Sequence, residues 1–188
     1  PQRKGDAILV EHDEGVRANT TMDTLAGMRP AFDKEGTITA ANASQLSDGA
    51  SAVIVMSKAA AEQRGVEPLG EFVSYGMVAG PDSASLLTQP SRAIMRAADK
   101  AGLAVGQIDL FEINEACGAG GRSSIDELGT SDEIVNVNGG EIGLGHPIGM
   151  SGERLELTLL HELRRRRGGI GAAGQVGGGR QGDSTGRK

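Results

Sequence analysis

A histidine in a glycine-rich loop is the residue of this chain best suited to chemistry. His146 lies between Gly145 and Pro147, inside the segment 138–149. Glycines beside an imidazole let a backbone or a ligand approach it closely, and the loop opens onto a helix N-terminus, which favours developing negative charge. His146 is therefore a candidate general base or oxyanion donor. The alternative is a histidine that only satisfies a hydrogen bond in a turn.

An asparagine at the end of a predicted strand is the second candidate. Asn114 directly follows the apolar segment 108–113. Polar residues at the carboxyl ends of strands are where α/β proteins place their sites. The amide of Asn114 is able to donate to an oxyanion, directly or through a water. The alternative is an asparagine that caps a turn.

The elements that must position these two residues alternate along the chain. Apolar runs predict strands at 5–13, 50–57, 70–78, 108–113, 134–137 and 169–176. Apolar residues at helical spacing predict helices at 57–64 and 91–101, a short helix ending at Leu128, and a helix that Ser151 caps. Strands that alternate with helices indicate an α/β layered fold.

The last 21 residues have an unusual composition. Residues 168–188 contain nine glycines and few apolar side chains, which is typical of a segment that is at least partly disordered. The run 177–182 is also compatible with nucleotide binding. That interpretation is the weaker one, because no helix is predicted after the run to receive a phosphate at its N-terminus.

Charge and cysteine content exclude several classes of protein. The net charge of −6 argues against nucleic-acid binding, although the cluster 164–167 of four arginines either contacts phosphate or forms the solvated end of a helix. The single cysteine, Cys117, excludes an internal disulfide. No stretch reaches the roughly 18 apolar residues of a membrane helix, and the start has no signal-peptide pattern. We expect a cytoplasmic protein with no metal site and no membrane partner.

Five short motifs carry a family resemblance. They occur in the order and at the spacing found in thiolases, and the likeness extends over nearly all of residues 4–170. The motifs are Asn42–Ser44, Ser47–Ala50, Asn114–Ala116, Asn136–Gly140 and Gly145–Gly149. The sequence resembles the C-terminal half of a thiolase only.

The resemblance implies a fold and a division into domains. It implies an α/β, thiolase-like βαβαβαββ layered domain with a mixed sheet flanked by helices. Residues 1–48 would correspond to the end of the thiolase loop domain, and residues 49–68 to the last strand and helix of the N-terminal domain. Residues 69–188 would form the C-terminal domain.

The resemblance also implies a reaction. Thiolases are acyltransferases that form or cleave 3-ketoacyl-CoA, with coenzyme A and acyl-CoA as substrates and no permanently bound cofactor. By this likeness, His146 would activate a cysteine nucleophile and line an oxyanion hole together with a water held by Asn114. Ser44 would contact the pantetheine arm of CoA.

Four positions depart from the family pattern. The nucleophilic cysteine belongs to the half that residues 1–188 do not match, and Cys117 stands where the family has phenylalanine. The position of the second catalytic cysteine holds Val176, and Glu141 and Glu153 replace small residues. We therefore expect the isolated chain to be inactive and to pair with an N-terminal thiolase half or form a homo-oligomer. The alternative is a catalytically silent module that binds CoA or pairs with another subunit.

Overall fold

The computed structural model describes residues 3–82, 84–177 and 181–187. Its strands are β1 (Phe72–Ala79), β2 (Leu110–Ile113), β3 (Gly171–Gly177) and β4 (Gln181–Arg187). Its α-helices are α1 (Met22–Ala26), α2 (Lys58–Arg64), α3 (Gln89–Lys100), α4 (Gly118–Leu128), α5 (Glu141–Leu144) and α6 (Ser151–Arg165). Short 3₁₀ helices occupy Ala84–Thr88, Val105–Gln107 and Asp132–Ile134.

The strands form one mixed sheet in the order β1-β4-β3-β2. β2 and β3 are parallel, whereas β4 is antiparallel to both of its neighbours. A parallel pair requires a long crossover, and the chain between β2 and β3 supplies it with α4, α5 and α6. The predicted α/β layered fold with a mixed sheet is confirmed.

Helices cover both faces of the sheet. Because successive strand residues point to opposite faces, β2 directs Phe111 and Ile113 into a cluster with Ile94 of α3. Its residue Leu110 points to the other face, where it packs against Leu155 and other leucines of α6. All four residues of β2 are buried. The burial of β2 between the two helical layers fixes the location of the residues that follow it in the chain.

The glycine-rich tail forms two strands in its described part. β3 confirms the strand predicted at 169–176, and β4 lies where the composition favoured partial disorder. Positions 178–180 and 188 lie outside the described residues. A Cβ atom added at Gly174 would lie 2.8 Å from Ile94 Cδ1, and one added at Gly182 would lie 2.5 Å from the carbonyl oxygen of Gln89. The glycines therefore allow α3 to lie directly on the sheet. Since β4, and no helix, is the next described element, the nucleotide-binding interpretation has no helix N-terminus to support it.

Three predicted strands are absent. Residues 5–13 and 50–57 form no strand, and the predicted strand 134–137 is replaced by a 3₁₀ helix and a single parallel bridge between Val135 and Phe111. A strand needs a hydrogen-bonding neighbour, and neither N-terminal segment pairs with a strand in the described part of the chain. Their apolar residues are consequently exposed, Ile54 by 88% and Val55 by 82%.

This exposed apolar surface leads to a prediction about behaviour in solution. Contiguous exposed apolar patches mark missing partners or aggregation-prone surfaces. We expect the isolated chain to self-associate in a concentration-dependent way in sedimentation velocity. The double substitution Ile54→Lys and Val55→Lys should shift the distribution towards monomer. A wild-type chain that stays monomeric at all concentrations would contradict the prediction.

Candidate functional site

The site begins where β2 ends. The backbone N–H of Asn114 donates to the carbonyl oxygen of Gly174 at 2.9 Å, which extends the pairing of β2 with β3 by one residue. The side chain is buried, and its Oδ1 accepts from the N–H of Val176 at 3.5 Å. Asn114 and Val176 therefore lie side by side at the carboxyl ends of the two parallel strands, where α/β proteins place their sites.

A buried carboxylate lies at the centre of the site. Glu141 is the first residue of α5 and is completely buried. Its Oε2 accepts hydrogen bonds from Asn114 Nδ2 and, at 3.1 Å, from the N–H of Glu115. Its Oε1 lies 3.4 Å from His146 Nδ1 and 3.3 Å from Arg154 Nη2. A single carboxylate thus contacts both candidate residues, Asn114 and His146.

The imidazole of His146 is held by its own loop. Its backbone N–H donates to the carbonyl oxygen of Gln45 at 2.9 Å, and its Nδ1 lies 2.7 Å from Ser151 Oγ. Ser151 Oγ in turn donates to the carbonyl oxygen of Pro147 at 3.2 Å. Gly145 has a φ of +93°, a conformation that favours glycine. The Gly-His-Pro motif is therefore the sequence of a tight turn that orients the ring.

The expected helix cap at Ser151 is not formed. The residue before the first turn of α6 is Met150, and Ser151 is the first helical residue. Its hydroxyl is directed to His146 and Pro147 instead. A serine caps a helix from the position before the first turn, where its oxygen accepts from a backbone N–H. Ser151 lies one residue too far along the chain for this, and its hydroxyl contacts the imidazole.

An N-terminal segment passes along both parts of the site. Ser44 donates through its N–H and its Oγ to the carbonyl oxygen of Ala116, at 3.2 and 3.3 Å. Two residues later, Leu46 forms a parallel bridge with His146. Ser44 therefore lies beside the Asn114–Ala116 turn. Cys117 pairs with Ala43 next to it and is 9% exposed.

A large cleft borders the site. It has a volume of about 930 Å³ and is open on one side. Its walls are Ser47–Ser51, Val53, Pro147–Met150, Gly152–Glu153, Leu155–Glu156 and Ala173–Gln175. His146, Asn114 and Val176 do not line it, although Pro147 and Gln175 are their direct neighbours in sequence. The cleft therefore lies next to the candidate residues and does not contain them.

Two buried carboxylates share one guanidinium. Arg154 Nη1 lies 3.2 Å from Glu112 Oε2, and its Nη2 lies 3.3 Å from Glu141 Oε1. Burial raises the pKa of Glu112 from 4.5 to about 7, although Arg154 opposes the shift and the carboxylates of Glu115 and Glu141 add to it. Glu112 therefore takes up its proton at a higher pH than an exposed glutamate does.

The raised pKa of Glu112 predicts a pH-dependent stability. Between pH 4.5 and about 7 the folded state binds the proton more tightly than the unfolded state. This contribution is present below pH 4.5 and is lost as the pH rises towards 7. We expect the free energy of unfolding of the wild type to fall by on the order of 2 kcal/mol between pH 5 and pH 8 because of Glu112. Glu112→Gln should abolish this decrease, since glutamine does not titrate. Urea unfolding of both proteins at the two pH values measures it.

The chosen pH range separates this effect from that of another carboxylate. Hydrogen bonds from Arg165 and, to a smaller extent, Arg166 lower the pKa of Glu162 to about 2. The contribution of Glu162 to the free energy of unfolding is therefore lost only as the pH falls from 4.5 towards 2. Equal pH dependence of wild type and Glu112→Gln between pH 5 and 8 would contradict the prediction for Glu112.

The arginine cluster is engaged within the chain. Arg165 and Arg166 pair with Glu162 at 2.5 and 2.7 Å, and Arg164 lies 3.8 Å from Glu67. α6 ends at Arg165, so these cations lie at the negative end of the helix dipole. The structure favours the helix-end interpretation over phosphate binding.

Two groups of the site were not predicted from the sequence. The sequence marks Glu141 only as a departure from the family pattern, and the one signal for a role is its charge in a glycine-rich loop. Asn136 adopts a positive φ of +48°. Its side chain accepts from the N–H of Ile113 at 2.7 Å and donates to the carbonyl oxygen of Ile113 at 2.9 Å. The Asn136 amide thus takes the place of a backbone partner for β2, where a further strand was expected.

The described residues contain neither a cluster of metal ligands nor a membrane-spanning helix. No group of three or more His, Cys, Asp or Glu side chains among them is arranged to hold a metal ion. None of the helices found there is long and apolar enough to cross a membrane.

Comparison with known proteins identifies the family. The family profile described as "Thiolase, C-terminal domain" matches residues 66–186, and "Thiolase, N-terminal domain" matches residues 1–59. A probable acetyl-CoA acetyltransferase of Mycolicibacterium smegmatis is 55% identical over 98% of this chain and 47% of its own length. The acetyl-CoA acetyltransferase of Shinella zoogloeoides is 51% identical over 87% of this chain and 41% of its own length.

Solved structures agree with these matches. The Bacillus anthracis acetyl-CoA acetyltransferase superposes with a TM-score of 0.91 and 37% identity, covering 100% of this chain and 47% of that protein. Human mitochondrial 3-ketoacyl-CoA thiolase in complex with CoA gives a TM-score of 0.90 and 40% identity, covering 95% of this chain and 45% of that protein.

The chain belongs to the thiolase family. It spans about half the length of the curated relatives it matches.

Proposed function

We propose that this chain provides the histidine- and asparagine-bearing half of an acetyl-CoA C-acyltransferase, which cleaves or forms 3-ketoacyl-CoA. The observation that supports this most directly is the joint contact of His146 and Asn114 with Glu141 at the carboxyl ends of β2 and β3. Groups fixed in this way suit a reaction that develops negative charge on a thioester oxygen. The CoA complex of the human mitochondrial thiolase supports coenzyme A as the ligand.

The proposed thiolysis has two steps. His146 accepts the proton of a cysteine thiol supplied from outside residues 1–188, and the thiolate attacks the keto carbon of 3-ketoacyl-CoA. The bond between C2 and C3 then breaks, and the acyl group stays on the cysteine sulfur. The electron pair of the broken bond leaves with C2 as the enolate of acetyl-CoA, which takes up a proton. The thiolate of a second CoA then removes the acyl group. A water held by Asn114 would donate to the oxyanion, and Ser44 would contact the pantetheine arm.

The same proposal assigns domains and partners. Residues 1–48 would belong to the loop domain, 49–68 to the end of the N-terminal domain and 69–188 to the C-terminal domain. A cysteine-bearing N-terminal half, or a second copy of this chain in a homo-oligomer, would cover the exposed residues Ile54 and Val55. A cytoplasmic location stays a prediction from the sequence.

One observation favours a second candidate, a catalytically silent CoA-binding or subunit-pairing module. Val176 occupies the position at which the family resemblance expects a proton-transferring cysteine, and its backbone N–H contacts Asn114. Valine has no exchangeable side-chain proton, so the enolate would need another proton donor.

Co-expression tests the proposed function and separates it from the alternative. The partner would be the part of the Mycolicibacterium smegmatis relative that precedes the region matched here. An acyltransferase half should form a complex with it that cleaves acetoacetyl-CoA, and Val176→Cys should raise the rate. A complex that binds CoA but stays inactive, even with Val176→Cys, would favour the silent module. Absence of both pairing and CoA binding would overturn both candidates.

A further inference from the structure

Glu141 has a charge that the proposed reaction does not use. The carboxylate is completely buried, and its two oxygens contact different partners. One oxygen accepts from Asn114 Nδ2 and the Glu115 N–H. The other faces His146 Nδ1 and Arg154 Nη2 at 3.4 and 3.3 Å. A buried carboxylate is costly unless donors or positive groups face its oxygens. Oε1 of Glu141 forms no hydrogen bond with the described residues, so it requires favourable electrostatic contacts with His146 and Arg154.

This requirement bears on the position of the proton on His146. A neutral imidazole carries one proton, on Nδ1 or on Nε2, and the other nitrogen presents a lone pair. With the proton on Nε2, the Nδ1 lone pair would face the anionic oxygen of Glu141 at 3.4 Å, which is repulsive. With the proton on Nδ1, the same contact is attractive.

The geometry of Ser151 agrees with the second arrangement. Its hydroxyl donates to the carbonyl oxygen of Pro147 at 3.2 Å, which uses its only hydrogen. The same Oγ, 2.7 Å from His146 Nδ1, is then left as an acceptor. The Ser151 hydroxyl is compatible with either tautomer, because it can rotate and donate to Nδ1. An ionised carboxylate has no proton to donate, so it is compatible only with a proton on Nδ1. Glu141 is therefore the neighbour that decides between the two tautomers.

We infer that Glu141 is a positioning residue that holds His146 in the Nδ1–H tautomer and so leaves the lone pair on Nε2. The same carboxylate orients the amide of Asn114, because Nδ2 donates to Glu141 while Oδ1 accepts from the Val176 N–H. Nε2 is thereby an acceptor before the reaction, which suits removal of a proton from a thiol. It becomes a donor to an oxyanion only after it has taken that proton.

The tautomer is measurable without turnover. The chain contains three histidines, His12, His146 and His161, so selective ¹⁵N labelling gives a simple spectrum even if the chain dimerises. Long-range ¹H–¹⁵N NMR at about pH 9, well above the ordinary imidazole pKa of roughly 6.5, reads the neutral form. The variant His146→Gln assigns the signals. In wild type we expect a pyrrole-like Nδ1 and a pyridine-like Nε2 resonance for His146.

Three variants divide the possible causes. Glu141→Ala should shift the His146 signals towards the Nε2–H pattern. Ser151→Ala should keep the Nδ1–H pattern, because the carboxylate of Glu141 remains beside Nδ1. Glu153→Gln is the matched control: this exposed carboxylate contacts Ser51 at 2.9 Å and should leave the spectrum unchanged.

The outcomes that overturn the inference are specific. A wild-type His146 in the Nε2–H form would overturn it, and so would a spectrum that changes with Ser151→Ala but not with Glu141→Ala. If Glu141→Ala does not fold, wild type and Ser151→Ala still decide. The catalytic meaning of the tautomer rests on the proposed function, but its measurement does not. If the complex shows no thiolysis but the spectra are as expected, the proposed function is contradicted and the inference about the tautomer is still supported.

Discussion

Thiolysis of acetoacetyl-CoA by this chain alone is expected to stay at the background rate. Its one cysteine, Cys117, is only 9% exposed and pairs with Ala43. By the family resemblance, Val176 stands where a second catalytic cysteine is expected. Without a thiolate to accept the acyl group, His146 has no nucleophile to activate. The measurement is the loss of acetoacetyl-CoA in the presence of free CoA.

The paired complex should give the opposite result. In the presence of a cysteine-bearing N-terminal half, we expect turnover, and His146→Ala should then lower it by about 10²–10⁴-fold, the usual contribution of a general base. Cys117→Ser should have little effect on the complex, which makes it the control for non-specific damage. Turnover by the isolated chain that disappears with His146→Ala would contradict the prediction and indicate an unrecognised nucleophile.

The substitution Gly76→Ala should cost a large part of the stability of the fold. Gly76 is buried in β1 beneath α3. A Cβ atom there would overlap with the carbonyl oxygen of Ala93 and lie 2.8 Å from the backbone nitrogen of Ala97. Both atoms belong to the backbone of α3, so no side-chain rotation relieves the overlap. We expect a loss of about 3 kcal/mol, the upper end of ordinary overpacking.

Gly106→Ala is the matched control for this prediction. Gly106 is exposed in the 3₁₀ helix Val105–Gln107, and a Cβ atom there meets nothing within 4 Å among the described residues. Its substitution should be neutral, or stabilising by about 0.4–1 kcal/mol if its backbone suits alanine. Urea unfolding at low protein concentration compares the two variants with wild type. Equal midpoints for Gly76→Ala and wild type would show that α3 shifts on the sheet without cost.

The different effects expected for substitution of Gly76 and Gly106 result from tertiary packing. Gly76 and Gly174 both pair with position 184 of β4, on opposite sides of that strand. They form part of a row of small residues on which α3 lies, and Ser74 Oγ donates to the carbonyl oxygen of Ala97 at 2.7 Å beside it. Composition shows that glycines are frequent, but only the packing shows which of them contact a helix.

The sequence determined the α/β order and the two candidate residues, because these depend on local patterns. The apolar run before Asn114 is enough to make β2, and a strand end is enough to present Asn114. Glycine and proline around His146 are enough to make a tight turn. The helices α3 and α6 follow from apolar residues at helical spacing.

Tertiary structure alone decided which of these local patterns persisted. The apolar segment 50–57 has a strand-like sequence but no neighbouring strand in the described residues, so its apolar side chains stay exposed. The glycine-rich tail looks disordered by composition, yet β1 and α3 supply the partners that make β4 a strand. Glu141 looks like a misplaced charge until folding brings Asn114, His146 and Arg154 around it. A local sequence pattern does not show which residues far apart in the chain will become hydrogen-bond partners.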